Sequence, residues 1–165
     1  MKKCSIRLKI TLWFSVILLV ITVLMTFAIL SISSGVMQKN IQDSLIAIVE
    51  DNVDEVEYFQ WLEDASPDGD GDDYLAYGDG FLEIDDDFLD LVGSNYTALY
   101  QEDGTLLYGE NLIATQTVFL SFQDNSIQTV SVDGEKFYVY DRMLEQEGLE
   151  GLWLRGTVSV ESGTR

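Results

Sequence analysis

Histidine is absent from the 165 residues, and cysteine and proline occur once each. Without histidine there is no Ser-His-Asp triad, no imidazole general base and no HExxH zinc site. Cys4 precedes a long apolar run, so the region beyond that run has neither a thiol nucleophile nor a disulfide and must be held together by its core. Neither GxxxxGK[ST] nor GxGxxG occurs, which leaves no phosphate-cradling loop. Basic residues are few as well. Nine are present, and Lys2, Lys3, Arg7 and Lys9 fall in the first nine positions. From Asp43 to Arg165 four basic residues stand against 29 acidic ones, a net charge of −25. That charge excludes nucleic acid as a partner, because affinity there comes from neutralising phosphates. Paired carboxylates could cleave glycosides, but among so many acids a suitable pair arises by chance and is no signal. The chain is not read as an enzyme by itself.

What the chain does contain first is Ile10–Gln38, 29 positions without a charge. Its apolar core, Ile10 to Ile32, would span about 35 Å as a helix, and a bilayer needs only about 20 residues. Trp13 stands near one end, where an amphipathic ring suits the interface. The run exceeds the ~7–15 residues of a signal peptide's apolar region. An uncleaved anchor is therefore expected, with cleavage near Ser31–Gly35 as the alternative. No cysteine follows the run, so a lipoprotein anchor is excluded. The basic head places the N-terminus in the cytoplasm and the acidic body outside the cell membrane.

Beyond the membrane Ile41, Leu45, Ile48, Val49, Asn52, Val53 and Val56 recur at spacings of three and four. They predict one apolar stripe on a helix running to about Leu62. The stripe suits packing on a sheet or on the helix of a second copy, and a homodimer through the helix is the expected assembly. From Phe81 the period changes to two. Phe81–Ile84 reads as a short strand, and Tyr96–Tyr100 meets Thr105–Tyr108 across Gln101–Gly104. Ile127–Val132 meets Lys136–Met143 across Asp133-Gly134, and a third turn at Glu147–Gly151 leads into Leu152–Val160. The expected fold is α+β: an N-terminal transmembrane helix continuing into a long extracytoplasmic helix, then an antiparallel sheet of hairpins. The divisions are a basic head over 1–9, a transmembrane helix over 10–34, an extracytoplasmic helix over 35–62, an acidic linker over 63–80 and the sheet over 81–165.

The linker raises the one metal question. In a twelve-residue calcium loop oxygens fall at positions 1, 3, 5, 7, 9 and 12, with glycine at 6. Starting at Asp68 puts Asp68, Asp70, Asp72 and Asp79 at positions 1, 3, 5 and 12, and the Tyr74 carbonyl at 7, but Asp73 takes the glycine position. Starting at Ser66 restores Gly71 at 6 and loses the acid at 12. Neither register is complete, so the segment reads first as a solvated connector. Calcium or magnesium on Asp68, Asp70, Asp72 and Asp79 is the secondary reading. Asp85, Asp86 and Asp87 read as a solvated turn, with a cation site as the alternative. Phe137, Tyr138, Tyr140 and Trp153 read as core or sheet-face residues, and Arg142 and Arg155 as partners in structural ion pairs.

The opening Met-Lys-Lys-x-Ser-Ile-Arg-Leu-Lys-Ile-Thr-Leu-Trp-Phe resembles the amino terminus of bacterial membrane sensor histidine kinases of two-component systems, in particular those of Gram-positive, clostridia-like bacteria. Ser44–Asn52, Ala98–Gly109, Phe137–Asp141 and Leu152–Ser159 follow in the order and spacing of such an input region. The resemblance implies a PAS-like extracytoplasmic sensor domain that signals through the membrane. It also implies a second membrane helix, a kinase core and a response regulator as partner. No residue here matches a kinase core, so the chain is expected to be truncated before it. A stand-alone membrane-anchored binding protein, dependent on a divalent cation, is the alternative.

Overall fold

The computed structural model describes residues 6–60, 72–89, 95–113 and 120–161. A single helix, α1, runs unbroken over Ile6–Val53, 48 residues. Compactness divides the chain into 1–39 and 40–165. In the first unit the apolar side chains face outward on all sides, with Trp13, Phe14 and Phe27 each about two-thirds exposed (69%, 68% and 71%). The helix is long and apolar enough to cross a bilayer. The Thr11, Thr22, Thr26 and Ser34 hydroxyls each donate to the carbonyl four residues back, so these four are satisfied within the helix.

The second unit begins with the last part of α1, where the stripe packs as a sheet-facing surface. Leu45, Val49 and Asn52 are buried. The helix stops at Val53 rather than near Leu62. Bonds from Asp54 N–H to Asp51 O and from Glu55 N–H to Asn52 O tighten the exit. The last turn carries no basic residue and is followed by more acids, which the negative end of the helix dipole disfavours. Val56–Gln60 then forms strand β1, because its alternate side chains Val56 and Tyr58 can enter the core.

Within the expected linker, Asp73–Tyr77 is strand β2. It turns through Gly78-Asp79 into β3, Gly80–Ile84. Gly78 has φ +56°, the conformation that the first position of a two-residue hairpin loop requires. β3 lies between β1 and β2 in an antiparallel three-stranded sheet. A short 3-10 helix over Asp86–Leu89 follows.

The larger sheet is antiparallel, with β4 (Asn95–Gln101), β5 (Leu106–Gly109), β6 (Ser126–Val132), β7 (Glu135–Met143) and β8 (Leu152–Ser159). The order across it is β5-β4-β8-β7-β6. The hairpins read from the sequence are present. Asp133 and Gly134 both have positive φ, 53° and 88°, the type I′ geometry that an Asp-Gly loop supplies. Side chains alternate across the central strand. Leu152, Leu154 and Val158 join Leu45, Val49, Leu99, Tyr138 and Tyr140 in the main core beneath α1. The intervening Trp153, Arg155 and Thr157 face the other side. A second, small core there holds Phe137, Val139 and Ile113.

Candidate functional site

Asp68 and Asp70 lie outside the described residues. Asp72 and Asp79 stand at opposite ends of the β2–β3 hairpin, since Asp73 pairs with Ile84 and Tyr77 with Gly80. Across the strand between them, at ~3.3 Å per residue, the two are about 20 Å apart. One ion cannot hold both Asp72 and Asp79. The turn geometry instead directs Asp72 toward the far end of β3. There the carboxylates of Asp72, Asp85 and Asp86 bring one oxygen each to within 4.8 Å of one another. The two strands flanking β3 both meet Ile84, Val56 from β1 and Asp73 from β2, so Glu55, Asp72 and Asp85 converge by register. Asp85 N–H donates to Glu55 O at 3.0 Å, and Asp87 N–H to Asp85 Oδ1 at 3.0 Å.

An open pocket of about 130 Å³ beside this end is lined by Asp54, Glu55, Glu57, Glu83 and Asp85. Glu57 and Glu83 are paired directly across β1 and β3, an arrangement in which like charges repel. Burial, then the neighbouring Asp85 and Asp87, raises the Glu55 carboxyl above its ordinary value. Burial, then Asp72 and Glu57, does the same to Glu83. Asp86 is raised first by its hydrogen bond with Asp85 and then by the charges of Asp85 and Asp87. These are groups that hold protons more readily than isolated carboxylates. Three convergent carboxylates are also the oxygen donor set that Ca²⁺ or Mg²⁺ takes, and Asp72, Asp85 and Asp86 are the residues that would hold such an ion.

The second polar arrangement lies on the large sheet. Asp141 and Arg155 are paired across β7 and β8 and are 0% and 4% exposed. Arg155 Nε donates to Asp141 Oδ1 at 2.7 Å and an Nη to Oδ2 at 2.9 Å, a two-pronged contact. The pair also grips residues 120–125, which approach the sheet as a strap. Arg155 donates to Leu120 O at 2.9 Å, and Gln123 N–H donates to Asp141 Oδ2 at 3.1 Å. Between them the Phe122 ring stacks on Trp153, centroids 5.0 Å apart, with the Arg155 guanidinium carbon 4.5 Å from its centroid. At the strand's other flank Arg142 meets Glu50 of α1 at 2.8 Å and Asp124 of the strap at 3.3 Å. Both arginines are thus in ion pairs, and Phe137, Tyr138 and Tyr140 are buried.

Asp85 and Asp86 read from the sequence as a solvated turn with a cation site as the alternative, whereas Glu50 and Asp141 do not stand out. A signal for Asp85 was present: Tyr-Leu-Ala-Tyr-Gly-Asp-Gly-Phe-Leu-Glu-Ile is a two-residue hairpin, and folding it places Asp72 beside Asp85. For Glu50 and Asp141 no local signal exists, since their partners are 92 and 14 positions away (Arg142, Arg155). No family model matches this chain, and no curated protein or solved structure shows significant similarity to it.

Proposed function

We propose that this chain is the signal-input region of a membrane sensor, anchored by its N-terminal helix with the acidic sheet domain outside the cell membrane, of the kind that sensor histidine kinases carry. The observation that carries this reading is the continuity of α1. One hydrogen-bonded helix includes both the bilayer-length apolar segment and the Leu45–Val49 face that the large sheet covers. A shift of the sheet against that face moves the same element that crosses the bilayer, and a ligand produces such a shift only through unequal affinity for two states. The five-stranded antiparallel sheet, with its first and last strands β4 and β8 side by side at the centre and a helix on one face, supports a PAS-like domain.

The test is to sequence the gene beyond codon 165 for a second apolar run and a histidine-bearing helix, then insert two glycines after Asn40 in the protein so encoded. Loss of signalling with normal membrane insertion supports the reading; unchanged signalling overturns it. The Asp72, Asp85 and Asp86 cluster favours a second reading, a membrane-anchored binding protein whose outer domain takes up a divalent cation. Calcium or magnesium that leaves the fold's melting temperature unchanged sinks that one.

A further inference from the structure

Strand β7 faces two ways. Tyr140 and Arg142 point to the α1 side, and Asp141 between them points to the strap 120–125. Beyond the β6 pairing the strap itself lies along β7: Asn125 N–H donates to Asp141 O at 2.9 Å and Met143 N–H to Asp124 Oδ1 at 2.8 Å. The strap and α1 therefore reach the same two side chains. The Tyr140 hydroxyl lies 2.7 Å from Glu50 Oε1 and 2.8 Å from Asn125 Oδ1. A phenol carries one proton, so it serves one of these acceptors at a time. Arg142, by contrast, reaches both with separate nitrogens, Nε 2.8 Å from Glu50 and an Nη on Asp124, so it bridges them and leaves Tyr140 as the contested group.

We infer that the strap and the end of α1 compete for the Tyr140 proton, so that a tighter hold on one loosens the other. The competition gives the fold two arrangements of the same side chains. Release of the strap from the Asp141–Arg155 pair turns Tyr140 wholly toward Glu50 and tightens the helix on the sheet. The inference rests on the sensor reading only for its use: the competition is a property of the chain alone, and either can fail without the other.

The test is amide hydrogen exchange on the full chain in lipid nanodiscs. Glu50→Ala frees Tyr140 for the strap, and exchange at Gln123 and Asn125 slows on the order of 2- to 30-fold. In the reverse direction, Asn125→Ala slows exchange at the last-turn amides of α1. Glu55→Ala removes a nearby acid without touching Arg142 and leaves the strap amides as in the wild type. If Glu50→Ala does not fold, Tyr140→Phe removes the contested proton, and Asn125→Ala in that background no longer slows exchange in the last turn of α1. Strap exchange that is unchanged or faster in the Glu50 variant, or equally slowed by Glu55→Ala, overturns the competition.

Discussion

Gly156 at the centre of β8 lies directly under Val49 of α1. A Cβ at position 156 would stand 2.3 Å from Val49 Cγ2 and 2.8 Å from Leu45 Cδ1. The glycine is what lets the helix approach the sheet so closely, and it places the helix end over the middle of the sheet rather than over an edge. Gly156→Ala therefore destabilises the outer domain by about 1–3 kcal/mol, even though alanine suits a strand better than glycine does. In urea denaturation, Val49→Ala in the Gly156→Ala background restores part of the loss, so the two changes together cost less than their sum. Additive losses would show that the helix is not seated there.

The buried Asp141–Arg155 pair has no water to replace a lost partner. Asp141→Asn leaves the guanidinium charge buried and costs about 3–5 kcal/mol. Asp141→Leu together with Arg155→Met costs less than either single change, because both charges leave together. Chemical denaturation of the three variants measures the order.

Acidification stabilises the fold. Glu55, Glu83 and Asp86 bind protons more tightly in the native state than in the unfolded chain. Their contribution is fully present below the ordinary carboxyl values of 4.5 and 3.8 and is lost as pH rises through the raised native ones. The melting temperature at about pH 5.5 exceeds that at about pH 7.5, most clearly at low salt. Glu83→Gln narrows the difference. A flat profile would mean that the carboxyl crowding costs nothing.

On the second proposed reading, a divalent cation at Asp72, Asp85 and Asp86 would do the work of those protons at neutral pH. Calcium or magnesium at about 100 times its dissociation constant raises stability by about 2.7 kcal/mol, and Asp85→Asn reduces the shift seen in thermal melting. Sodium at matched ionic strength gives no comparable shift if the ion is held by the cluster rather than by the general field.

Two tyrosines titrate late. Burial, with Asp73 beside Tyr108 and Glu50 beside Tyr140, pushes both hydroxyls up to about 12 from 10.0. Their contribution to stability is complete below pH 10 and is lost as pH rises through about 12. Tyrosinate absorbance during alkaline titration shows this late step, and Tyr140→Phe removes part of it.

The sequence by itself determined the features that depend on neighbours along the chain. Ile10–Ile32 is long and uncharged enough to cross a bilayer, and Asp133-Gly134 dictates a tight loop from its own φ preferences. The alternation of Tyr96–Tyr100 and Phe137–Asp141 marks strands. Local period misled at two places. Val56 extends the helical stripe by spacing, yet its pairing with Ile84 turns Val56–Gln60 into a strand. The acids of 66–80 read as solvated, yet part of that stretch is β2. Only the tertiary structure decided which distant groups meet: Asp72 with Asp85 and Asp86, Asp141 with Arg155, and Glu50 with Arg142 and Tyr140. Such contacts are set by strand order and register, which arise when the whole sheet buries its apolar faces. No short window of sequence contains that energy.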